Sequence, residues 1–81
     1  MSTAVTPDLV VDASRTLCPV PVIKARQGMD RLKRGQVLKL IATDPGSKAD
    51  IPSFARVAGH ELLSAEHSDK QFVFLVRKGG K

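Results

Sequence analysis

Residues 15–22, RTLCPVPV, decide how this chain is read. They hold the only cysteine, Cys18, followed at once by Pro19, with Pro21 two residues beyond. In a helix interior such prolines remove a backbone donor and crowd the preceding turn. In a first turn the objection vanishes, because the N–H groups there have no intrahelical partner. Downstream, Val22, Ala25, Met29 and Leu32 recur at helical spacing and form one apolar stripe. The stretch therefore reads as the start of a helix over 19–34, with Pro19 at N1, Pro21 at N3 and Cys18 as the N-cap. Lys24, Gln27, Arg31 and Arg34 fall on another face, and Gly35 is placed just past the C-terminus.

Working outward, Leu9, Val10 and Val11 suit a short strand, and residues 12–15 the loop after it. QVLKLIAT, residues 36–43, is a strand whose apolar character on both faces suggests a central position. Asp44-Pro45-Gly46-Ser47 is a turn. Ser47 and Asp50 resemble a capping box with Asp in place of Glu. Ile51, Phe54, Ala55 and Ala58 give a second helical stripe ended by Gly59. Pro52 requires either a start nearer Asp50 or a bent first turn. Residues 61–66 and 71–78 read as strands joined by a turn around Ser68-Asp69. The order β-α-β-α-β-β predicts an α+β fold: a two-layer α/β sandwich, a four-stranded mixed sheet with two helices on one face.

The chain has 81 residues, which favours one domain; we expect it over 8–78, with flexible ends at 1–7 and 79–81. A domain this small buries only about 60% of its unfolded surface. A single Cys excludes an intramolecular disulfide, a CxxC pair and a Cys-rich zinc site, and it favours a reducing compartment. No basic, apolar leader is visible at the N-terminus and no apolar run approaches the ~20 residues of a membrane span. The expectation is a cytoplasmic protein without membrane contact, metal or cofactor. Lys and Arg number 13 against 8 Asp and Glu, a charge of +5 that favours anionic partners. The aromatics are Phe54, Phe72 and Phe74, which suit a core better than a base-stacking platform.

At a helix N-cap, the Cys18 sulfur would meet free N–H groups and the positive end of the helix dipole, which favour thiolate over thiol. A nucleophilic or sulfur-carrying cysteine on a stiff platform is one reading. A small buried hydrophobe among Leu17, Val20 and Val22 is the other. Arg15 and Arg26 lie close enough in sequence to support a thiolate, and Asp44 sits at a central strand end where α/β sites form. Lys24, Arg31, Lys33 and Arg34 could dock an acidic partner or be a solvated face. His60 and His67 are expected at the surface.

Cys18-Pro19-Val20-Pro21 matches the Cys-Pro-x-Pro signature of the TusA/SirA-like family. Further similar segments are Val11-Asp12-Ala13-Ser14, Ala42-Thr43-Asp44-Pro45, Asp50-Ile51-Pro52, Gly59-His60-Glu61-Leu62 and Val76-Arg77-Lys78-Gly79-Gly80. From about residue 8 the chain resembles that family almost throughout. The resemblance implies a sulfur carrier in which Cys18 takes sulfane sulfur as a persulfide. The donor would be a cysteine desulfurase or rhodanese, and the sulfur would pass to an acceptor protein. The pathway would be tRNA thiolation, sulfur oxidation or molybdenum-cofactor synthesis. Val20 stands where the tRNA-thiolating branch often has Glu. A monomeric, sulfurtransferase-type carrier without independent turnover is expected, with no direct nucleic-acid contact. With no second thiol in the chain, a persulfide must be discharged onto another protein. The Gly79-Gly80 pair is followed by Lys81, unlike the free Gly-Gly terminus of ubiquitin-like carriers. The alternative is a small basic RNA/DNA-binding or regulatory module with a structural Cys.

Overall fold

The computed structural model describes residues 6–17 and 19–79. The elements are β1 (Leu9–Ala13), α1 (Val20–Asp30), β2 (Val37–Ala42), α2 (Ser47–Ala58), β3 (Glu61–Ser68) and β4 (Gln71–Arg77). This is the expected β-α-β-α-β-β order. The strands form one mixed sheet in the order β1-β2-β4-β3. β1 pairs with β2 in parallel, Leu9 opposite Leu38 and Ala13 opposite Ala42. β4 runs antiparallel to both β2 and β3, with a bulge at Leu63. α1 packs over β1 and β2, and α2 over β3 and β4. β2 is central, as its apolar character suggested.

The core lies between sheet and helices. Leu38, Leu40 and Ala42 of β2 and Phe72, Phe74 and Val76 of β4 point into it, alternating with half-buried Lys39, Ile41, Val73 and Leu75 on the open face. Ala25 and Met29 of α1 and Ile51 and Ala55 of α2 close it from above. Each large side chain buried here contributes about 1.5–3 kcal/mol. Pro21 and Gly28 also face the sheet. A Cβ on Gly28 would lie 3.1 Å from side-chain carbons of Leu38 and Val11, so glycine allows the close approach of α1.

α1 differs from the expected helix at both ends. Pro19, not Cys18, is the N-cap, and Pro21 is the second helical residue, not the third. With ψ at 13°, Pro19 is outside helical geometry, yet its carbonyl accepts the first helical bond from the Ile23 N–H at 3.1 Å. At the other end the helix stops at Asp30 instead of residue 34. Arg31 and Leu32 N–H groups turn back to Gly28 and Met29 carbonyls, a tighter spacing typical of a last turn. Gln36 Oε1 then takes the Lys33 N–H at 2.8 Å, and Lys78 Nζ donates to the Leu32 carbonyl at 2.6 Å. Leu32 remains buried, but from a turn. Gly35 follows with φ 91°, four residues beyond the C-cap.

α2 begins at Ser47 and runs through Pro52. The expected capping box of Ser47 and Asp50 does not form: Gly46 is the N-cap, with no side-chain cap bond, and the buried Ser47 hydroxyl instead donates to the Asp44 carbonyl at 2.5 Å. Gly59 ends the helix in the left-handed region at φ 81°. The His60 N–H reaches back to the Ala55 carbonyl at 2.7 Å, closing a Schellman-type end.

Candidate functional site

Parallel pairing of β1 and β2 brings their C-terminal ends together. The chain leaves β1 towards α1 and leaves β2 towards α2, so both helix N-termini lie at this end of the molecule. Cys18 itself lies outside the described residues, but the loop around it is defined on both sides. The Ser14 N–H donates to Asp12 Oδ1 at 2.9 Å, and the Thr16 hydroxyl to the Ala13 carbonyl at 2.6 Å. The Val20 N–H donates to the Leu17 carbonyl at 2.9 Å, a bond that spans positions 18 and 19. A longer-range bond leaves the loop: the Arg15 N–H donates to Thr43 Oγ1, just past β2, at 2.8 Å. Arg15 has φ 63°, a left-handed conformation costly for a side chain with a Cβ. Leu17 is 73% exposed, and Pro19 is also exposed. Hydrogen bonds from the Ser14 side chain and backbone hold the Asp12 carboxyl below its ordinary 3.8, with smaller help from Lys24 and Arg15.

A groove of about 680 Å³ begins at Pro19 and runs between the helices. Val22 and Met29 of α1 and Phe54, Val57 and Ala58 of α2 supply its apolar lining. Arg26, Asp30 and Asp50 add charge. His60 and Lys78 also line it. The His60 ring sits 5.6 Å from that of Phe54, and its Nδ1 accepts the Gly79 N–H at 3.0 Å. Burial, then the nearby Lys78 charge, pushes the His60 pKa below its ordinary 6.5. Gly79 is wedged against the α2 end: a Cβ on it would fall 1.7 Å from the Gly59 carbonyl oxygen.

Of the residues singled out from sequence, Arg15 is exposed in the loop, and Arg26 lies on the groove about two turns into α1. Asp44 is half-buried and builds the entry to α2, where Oδ1 accepts the Gly46 N–H at 3.2 Å. Lys24 is half-buried, while Arg31, Lys33 and Arg34 are exposed beyond the last residue of α1, so the basic set is spread along the helix and the turn after it. His67 is exposed and stacks on Phe72 at 4.4 Å. His60, expected at the surface, is instead half-buried on the groove. Thr43 and the α2 side of the groove were not anticipated, since only tertiary contacts reveal them. Among the described residues, no cluster of His, Cys, Asp or Glu could hold a metal, and no helix is long and apolar enough to cross a membrane.

Comparison with known proteins gives a consistent result. The family described as sulfurtransferase TusA matches residues 9–78. The sulfur carrier protein TusA of Pseudomonas putida strain GB-1 is 44% identical over 73 residues, covering 90% of this chain and 91% of the relative. That of Allochromatium vinosum is 41% identical over 71 residues, covering 88% and 93%. In fold, the crystal structure of a SirA-like protein from Desulfitobacterium hafniense superposes with a TM-score of 0.71, covering 89% of this chain and 99% of that one at 23% identity.

Proposed function

The chain belongs to the TusA sulfurtransferase family, and from that premise we propose that it is a sulfur carrier, with Cys18 the residue that holds the sulfur as a persulfide. One observation carries the reading. The only cysteine of the chain stands in Cys-Pro-Val-Pro immediately before the N-cap of α1, between the exposed residues Leu17 and Pro19. A helix start offers unpaired N–H groups and positive potential, which favour the thiolate.

The chemistry balances without an oxidant. The Cys18 thiolate attacks the terminal sulfur of a donor persulfide. A new S–S bond forms on Cys18, the donor S–S bond breaks, and the donor leaves as thiolate. In the second step an acceptor nucleophile attacks the terminal sulfur of the Cys18 persulfide, and the Cys18 thiolate is the leaving group. Discharge goes to another protein, because the chain has no second thiol.

A cysteine desulfurase or rhodanese fits the donor role, and the acceptor that docks sets the pathway, tRNA thiolation among them. The exposed Leu17, Ile23 and Val57 offer apolar contacts to such partners, and Arg31, Lys33 and Arg34 offer cationic ones. Arg15 and Arg26 support the thiolate through their charge. The test is intact mass after incubation with a cysteine desulfurase, its cofactor and cysteine. The expected result is addition of one sulfur atom, reversed by reductant and absent from Cys18→Ser. A protein that takes no sulfur from this donor or from a rhodanese with thiosulfate would remove the carrier reading.

A further inference from the structure

We infer that Thr43 is a positioning residue for Cys18, acting through the backbone of the loop that carries it. The inference rests on the carrier reading only in taking Cys18 as the reactive thiol. Among the described residues of the loop between β1 and α1, three hydrogen bonds are local, joining residues two or three apart. The bond from the Arg15 N–H to Thr43 Oγ1 is different: it ties the loop to the end of β2, 28 residues away in sequence. Among the described loop residues it falls at the one with positive φ, three residues before Cys18 in sequence. A non-glycine residue stays left-handed only where its surroundings hold it there. Thr43 does so from the end of β2, whose place beside β1 is fixed by the parallel ladder up to Ala13 and Ala42. The hydroxyl thus transmits the rigidity of the sheet to the backbone leading into Cys18. Loosening it lets the segment leave the αL conformation, and the setting that the carrier reading gives the thiol, beside the positive start of α1, is then less well kept.

The test uses Thr43→Val, which keeps the shape and removes the acceptor, and Thr43→Ser, which keeps the acceptor. Two quantities are read: hydrogen exchange of the Arg15 amide and the rate of Cys18 alkylation against pH. In the wild-type protein the Arg15 amide is protected relative to a free peptide. In T43V its exchange rises about three- to tenfold, the change that loss of one ordinary hydrogen bond brings, and the alkylation midpoint moves to higher pH. T43S restores both. An unprotected Arg15 amide in the wild type, an alkylation profile in T43V that overlays the wild type, or a T43S that behaves as T43V would each overturn the assignment. If T43V loses the fold, the wild-type amide and T43S decide the matter. A wild-type protein that shows these responses yet accepts no sulfur would defeat the carrier reading and leave Thr43 in its role.

Discussion

Gly79→Ala should release the C-terminal strap from the end of α2. In the native chain Gly79 lies so close to Gly59 that a methyl group would fall 1.7 Å from the Gly59 carbonyl oxygen and 2.8 Å from its carbon. Neither atom can step aside, because Gly59 is the left-handed cap of α2 and the next N–H is bonded to Ala55. Residue 79 must therefore lift away, and its bond to His60 Nδ1 is lost. One such bond contributes about 0.5–1.5 kcal/mol. The preceding anchors, Lys78 with Gln36 and Gly35, are independent of the methyl and remain. A loss of about 1 kcal/mol lowers the Tm of a domain this size by about 4–8 °C. The second consequence is electrostatic. His60 gains water, so its depressed pKa should rise towards 6.5. Thermal unfolding gives the first quantity, and an NMR titration of the His60 ring the second. An alanine variant with unchanged Tm and an unchanged His60 titration would show that the strap does not bear on the groove, and the reasoning would fail.

His60 also predicts a pH dependence. Its folded pKa lies below 6.5, so between the two values the unfolded chain binds more protons. Its contribution to stability is intact above about 6.5 and declines as pH falls towards the folded value; urea unfolding at a series of pH values should show a slope there that His60→Gln abolishes. Phe74, 2% exposed at the centre of the sheet, should cost about 3–5 kcal/mol on truncation to alanine, enough to remove a cooperative melt from a domain with little to spare. Gly59→Ala forces a Cβ into φ 81° and should cost about 1–2 kcal/mol in chemical denaturation, with the helix otherwise kept.

The order of elements was legible because each is marked locally. Gly59 and the Asp44-Pro45-Gly46 turn punctuate the chain, and the stripes of α1 and α2 have a clear period. What was not legible depends on distant partners. Arg31 to Arg34 are good helix formers, and nothing near them says that Lys78 and Gln36 will capture the backbone first. The same holds for the cap of α1, where the geometry of Pro19 decides a one-residue shift that residue preferences leave open. At the site, the Cys-Pro-Val-Pro stretch pointed to the helix start. The groove, the half-burial of His60 and the hydroxyl of Thr43 arise only when β1 meets β2 and α1 meets α2. Gly28 and Pro21 on the buried face of α1 show the same limit, since neither looks like a core residue until the closeness of the sheet is known.

The sheet order carries a consequence for biosynthesis. β4 follows β3 in sequence, yet it lies between β2 and β3, pairing Ala42 with Phe72 on one side and Leu62 with Val76 on the other. A nascent chain that has exposed everything through β3 holds three strands, of which only β1 and β2 are neighbours. The side chains of Leu38 and Leu40 then have no Phe74 or Val76 to meet. The domain cannot close its core until residues 71–77 have left the ribosome. A ribosome stalled in that segment would present an open apolar sheet to chaperones, and removal of β4 alone would leave β3 with no partner strand.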